Sequence, residues 1–222
     1  MSNLVLITSV MDIPTDIPWS YSKVRSVFNR EQRYEQLKLT IRTAKEKIPN
    51  LKIMLVECSE FTEEEKKYFE TECDYIINLW EKKELHKHIF SISKAMGFGS
   101  MILEGINYLI KHNLKFEHLH VRSGRYWLND EYDYKEWHND KIVVNKIKGN
   151  PNNIQVGIFK MPYNLKEKFK EFLIHNMENM RRCIGFEVLF SVFVNSNIKN
   201  VKYIDKIGME GYVSVCGSFW KN

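Results

Sequence analysis

Three short apolar runs, each set off from the next by a helix-patterned stretch, constrain this chain more than anything else in it. They are Leu4–Val10, Leu51–Val56 and Tyr75–Leu79. A strand that is apolar on both faces must be covered on both faces. Between the first two runs, Tyr34, Leu37, Ile41, Ala44 and Ile48 recur at three- and four-residue spacing, which predicts one helix over 30–47 with a single apolar stripe. Asn29 with Gln32 three residues on has the capping-box pattern, and Pro49-Asn50 closes the segment. Thr62 precedes a short acidic helix, Glu63 to Glu72. This β-α-β-α-β order predicts an α/β fold: a mostly parallel, Rossmann-type sheet with helices on both faces.

The rest of the chain reads as follows. A loop with Pro14, Pro18, Trp19 and Tyr21 runs from Met11 to about Val27, long for a strand-to-helix link and a place to look for function. Trp80 to Ser93 reads as a polar link. A helix is expected over 100–111, with Gly97 and Gly99 just before it, where a phosphate could approach the helix start; helix packing explains the two glycines equally well. Leu114–Val121 is the fourth strand. Asp140–Lys148 and Ile154–Met161 read as strands around the turn 149–153, Leu165 to about Met180 as a helix, and Val201–Ile204 as a short strand. Gly185–Phe193 is strongly apolar with one lone carboxylate, Glu187. The tail, Gly208 to Gly217, has the glycine spacing of an irregular loop facing an active site.

Composition narrows the class. The 222 residues fit one domain, 1–222, dividing at about residue 130 into two halves. The net charge of +5 is spread along helices, and the basic residues do not interleave with aromatics as stacking platforms do, so no nucleic-acid partner is expected. No stretch of eighteen apolar residues predicts a membrane span, and the first residues lack a basic leader, so a cytoplasmic protein is expected. Four scattered cysteines form no C-x-x-C pair and read as free thiols. His86/His88 and His118/His120 are spaced to share a strand face, but no third ligand stands at a telling distance from either pair.

The stretch 116–129, FEHLHVRSGRYWLN, carries the chemistry. A buried strand breaks into Arg122-Ser123-Gly124-Arg125, and the aromatic pair Tyr126-Trp127 follows. Arginine offers a planar fork of donors that suits phosphate. In open α/β sheets, ligands sit beyond the carboxyl ends of strands. Pairing of Arg122 and Arg125 with surface carboxylates is the plain alternative.

Four segments carry a family resemblance. They are Arg25-Ser26-Val27-Phe28 with Glu31-Gln32-Arg33-Tyr34-Glu35-Gln36, Ile48-Pro49-Asn50 before Lys52-Ile53, Ser123-Gly124-Arg125-Tyr126-Trp127-Leu128, and Ile207-Gly208-Met209-Glu210-Gly211. In these the chain resembles small glycosyltransferases of the GT-A fold type found in viral and bacterial surface-glycan gene sets. The resemblance implies a GT-A-like sheet whose first strand and loop hold the nucleotide of a sugar donor. It implies hexosyl or pentosyl transfer from a nucleotide sugar to a glycan or other hydroxyl acceptor. A non-catalytic nucleotide- or glycan-binding module on the same fold is the second reading.

One departure matters. Where that fold has Asp-x-Asp for a divalent metal, this chain has Ser123-Gly124-Arg125, and Asp130, Glu131 and Asp133 come later, as surface groups. A hard cation needs oxygen ligands. No metal is therefore expected at the turn and no cofactor beyond the nucleotide sugar; Arg125 or Arg122, with Lys94, is expected to neutralise the leaving diphosphate. Thr8, Ser9, Arg25, Glu57, Lys94, Gly97, Arg122, Ser123 and Gly124 are the expected donor-binding residues. Arg33 is a weaker candidate. Glu187 is the expected general base of an inverting transfer, its pKa raised by an apolar setting; a helix-capping glutamate is the alternative.

Overall fold

The computed structural model describes residues 2–147 and 153–222. Its centre is a seven-stranded sheet in the order β3-β2-β1-β4-β7-β6-β8. β1 (Asn3–Ser9) lies between β2 (Leu51–Glu57) and β4 (His118–Ser123), parallel to both, and β3 (Tyr75–Asn78) extends the parallel half. β7 (Ile158–Pro162) runs antiparallel to β4, followed by β6 (Ile142–Val144) and β8 (Val201–Tyr203). Thr8 pairs with both Val56 and Ser123, so the carboxyl ends of β1, β2 and β4 finish level.

Side-chain alternation along β1 divides the core in two. Leu4 and Leu6 face α4 (Lys94–Lys111), α6 (Lys166–His175) and α8 (Phe186–Ser196), packing with Ile102, Ile106, Phe169 and Phe190. Val5 and Ile7 face α1 (Arg30–Lys47), α2 (Glu63–Glu72) and α5 (Tyr134–Trp137), packing with Leu37, Ile41, Phe69 and Trp137. This is the mixed α/β, mostly parallel, doubly flanked sheet that the strand and helix order predicts. α1 begins at its expected capping box, and α2 begins after its expected cap, Thr62. Asn29 accepts from the Gln32 amide at 2.9 Å while Gln32 accepts from the Asn29 amide at 3.0 Å, and Thr62 and Glu65 repeat the exchange.

The differences from the sequence reading have local causes. The link after β3 folds as a helix, α3 (Lys83–Ile89), and α4 begins at Lys94 rather than Ser100, with the Ser93 hydroxyl accepting from the Met96 amide. Gly97 and Gly99 therefore lie inside a helix and form no phosphate loop. A Cβ on Gly97 would stand 2.8 Å from the Ile89 carbonyl, and one on Gly99 2.5 Å from the Met180 sulfur, so both serve close packing. The single helix expected from Leu165 to Met180 breaks at Asn176 into α6 and α7 (Met177–Arg181); the Asn176 side chain bonds back to the Phe172 carbonyl.

The strands expected at 140–148 and 154–161 shorten to β6 and β7, and Lys148 with positions 149–152 of the turn lies outside the described residues. The glycine-rich tail forms strands rather than an irregular loop. β9 (Met209–Tyr212) pairs with β10 (Phe219–Lys221) and with β5 (Tyr126–Leu128) in a small antiparallel sheet. Among the described residues, no helix is long and apolar enough to cross a membrane.

Candidate active site

A cleft opens where the carboxyl ends of β1 and β4 meet the amino ends of α4 and α8. Its inner lobe, about 140 Å³, is lined by Thr8, Ser9, Arg25, Arg33, Gly97 and Ser214. Its outer lobe, about 470 Å³, adds Gln155, Cys183, Phe186 and Glu187. Tyr21, Lys94, Phe98, Ser123, Arg125 and Tyr126 line both lobes.

The turn after β4 decides what faces this cleft. The Gly124 amide donates to the Thr8 carbonyl at 2.9 Å. A Cβ there would stand 2.9 Å from both Ser9 Cβ and Leu37 Cδ1, so only glycine lets the turn lie this close to β1. The tight turn sends Arg125 into the cleft, its guanidinium 5.6 Å from the Tyr126 ring. Among the described residues, Arg125 donates to no protein acceptor and pairs with no carboxylate.

Arg25 and Arg33 are cations with duties of their own. Arg25 stacks 3.9 Å over Trp19 and donates to the carbonyls of Ile17, Phe90 and Ser91, pinning the 11–27 loop against the start of α4. Arg33 donates to the Val10 carbonyl at 2.7 Å. Burial, then the charge of Arg125, pushes the Arg33 guanidinium below its ordinary value, with Glu57 opposing. The inner lobe thus holds crowded positive charge that an anion would relieve.

Glu187 sits in the first turn of α8 and faces the outer lobe, its carboxylate 3.7 Å from Lys94 Nζ. The apolar setting expected for it is absent: Phe186, Leu189, Phe190, Phe193 and Val194 turn into the core, leaving Glu187 beside a cation and part-exposed. Desolvation at the cleft wall lowers the Lys94 pKa; Glu187 opposes this and Arg125 adds to it.

Two expected ligand residues lie elsewhere. Glu57 is fully buried and lines neither lobe; its Oε1 accepts from the Met11 amide at 2.9 Å and the Ser59 hydroxyl at 2.7 Å, so it shapes the β1 loop. Burial raises its pKa, and those bonds oppose the rise. Arg122 is still inside β4, pairs with Ile7 in register, and is sealed on the opposite face of the sheet with one bond to the Tyr126 carbonyl. It cannot reach a ligand in the cleft. Thr8, Ser9, Arg25, Lys94, Gly97, Ser123, Gly124 and Arg125 do come together, with Glu187 across the outer lobe. Tyr21, Phe98, Gln155, Cys183 and Ser214 were not singled out by their sequence. They arrive from five separate segments, of which the long 11–27 loop and the glycine-spaced tail carried a signal.

The residues present do not fit a divalent metal in this cleft. Among the described residues, Glu187 is the one carboxylate lining either lobe.

No protein-family model matches the chain, and no curated protein sequence does. Its fold is that of GT-A-type transferases. The chain is similar to the apo-form glycosyltransferase GlyE of Streptococcus pneumoniae TIGR4, with a TM-score of 0.53 and 9% identity over 92% of this chain and 45% of that one. It is also similar to a protein of Desulfovibrio desulfuricans G20 assigned as a nucleotide-diphospho-sugar transferase, with a TM-score of 0.52 and 8% identity over 92% and 80% of the two chains. The chain spans less than half the length of GlyE.

Proposed function

We propose that this protein is a nucleotide-sugar-dependent glycosyltransferase that works by inversion and without a metal in its cleft. The observation that carries the reading is the charge layout of the cleft. Arg25, Arg33, Lys94 and Arg125 line it at the carboxyl end of the sheet, and one carboxylate, Glu187, stands across from them.

The donor nucleotide enters the inner lobe beside Thr8 and Ser9, with its diphosphate at Arg125 and Lys94. The amino end of α4 adds a favourable dipole there. The acceptor enters the outer lobe. Its hydroxyl oxygen attacks the anomeric carbon as Glu187 takes the hydroxyl proton, and the bond to the diphosphate breaks on the opposite side. Arg125, which no protein group among the described residues neutralises, stabilises the charge that grows on the leaving oxygen. A fixed cation costs no reorganisation at the moment of reaction.

The test is a panel of nucleotide sugars with release of nucleoside diphosphate as readout, in parallel with donor binding. Turnover of one donor class by the wild-type chain is the expected result. Binding of a donor without any turnover would instead make the chain a binding module on a transferase fold.

A further inference from the structure

We propose that Glu117, His118 and His138, with Asp140 beside them, form a site for a divalent transition metal of the zinc class at the amino end of β4. It lies at the end of the strand away from the cleft. One ligand atom from each of the first three residues lies within 4.8 Å of the others.

The second observation is the orientation of His118. The Pro49 carbonyl can only accept, and Asn3 Nδ2 donates to it at 2.9 Å, which fixes the Asn3 amide. Asn3 Oδ1 therefore faces His118 Nδ1 at 3.1 Å, and Nδ1 must carry the proton. His118 Nε2 is left as a bare lone pair. The residue is 1% exposed, and this nitrogen has no hydrogen-bond partner among the described residues. Asp140 Oδ1 stands 4.0 Å from it. An imidazole whose far nitrogen is held by a buried amide is the usual supporting arrangement of a metal-ligating histidine.

Two imidazoles with carboxylates favour zinc, nickel, cobalt or copper over magnesium or calcium. Metal–ligand bonds of about 2 Å ask the ligand atoms to close to within about 4 Å of one another. The ligands that must move, Glu117, His138 and Asp140, are the part-exposed or exposed ones. Lys160 is the nearby cation; it is turned to the carbonyls of Asn139 and Lys141, and the carboxylates offset its charge. A bound metal would staple the segment after α5 to the starts of β1 and β4, a structural role separate from the proposed transfer.

The test titrates zinc and cobalt(II) into the chelator-treated full chain and into His138→Ala and Glu117→Gln, both substitutions outside the core. The expected result is one zinc per wild-type chain, a rise in Tm with zinc, and visible cobalt absorption of tetrahedral intensity. Each variant should bind at least about 10–100-fold more weakly while keeping the metal-free Tm. No binding by the wild type would overturn the proposal. So would binding by both variants as tight as wild type, because the metal would then sit elsewhere.

Discussion

β4 gathers basic side chains on both of its sides, and the two sets differ in what can satisfy them. Behind the sheet, His118, His120 and Arg122 alternate along the strand, with Lys160 paired opposite His120, under Trp137 and Tyr132. Among the described residues, both nitrogens of His120, Arg122 Nε and Nη1, and the Tyr132 hydroxyl have no hydrogen-bond partner. Burial answers this crowding by lowering the pKa values of His120, Arg122 and Lys160. In front, Arg125 and Lys94 open onto a cleft where a phosphate could answer it instead. Arg122 and Arg125 are three residues apart. One is the last sheet-facing position of a buried strand, and the other follows a glycine turn. Residue type alone does not make a binding arginine; its place relative to the strand end does.

Breaking the front side should have the largest effect. Glu187→Gln removes the proton acceptor and should lower the transfer rate by about 10²–10⁴-fold, with donor binding within about twofold of wild type, measured by product release and calorimetry in parallel. Wild-type-like turnover would remove Glu187 from the mechanism. Arg125→Ala should weaken binding of a nucleoside diphosphate by about 10–100-fold, the worth of charge-assisted hydrogen bonds.

The back side should respond in stability and not in binding. Lys160 is fully buried and its pKa is pushed down to about 8. Because the folded value lies below the unfolded one, its cost is full below pH 8 and is relieved as pH rises from about 8 toward 10.5. Wild-type Tm should therefore gain on Lys160→Met over that window, by at most about 3 kcal/mol or roughly 6–12 °C. Parallel Tm curves would show that Lys160 is not held as a strained cation. The smallest effect on binding belongs to Arg122→Met. It should be neutral or stabilising by about 1–4 kcal/mol in denaturant melts and leave donor binding within about twofold. A binding loss like that of Arg125→Ala would erase the contrast between the two sides.

The fold was largely legible because its signals are local. Leu4 to Val10 and Leu51 to Val56 declare doubly covered strands, and Asn29/Gln32 and Thr62 mark helix starts to the residue. The site was legible where one segment carries it: Thr8-Ser9 and Ser123-Gly124-Arg125 both reach the cleft. It was not legible where tertiary packing decides. Gly97 and Gly99 look like a phosphate loop until Ile89 and Met180 press on them. Arg122 looks equivalent to Arg125 until the register with Ile7 puts it behind the sheet. Glu187 looks isolated in apolar sequence, but helical periodicity turns its neighbours inward and leaves it beside Lys94.

The central claim is that arginine stands where a GT-A fold otherwise holds a metal. Calorimetric titration of a nucleoside diphosphate into the full chain, once in excess EDTA and once with added manganese or magnesium, tests it most directly. Equal affinity in the two conditions, lost in Arg125→Ala, is the expected result. Binding that appears only when manganese or magnesium is restored would contradict it.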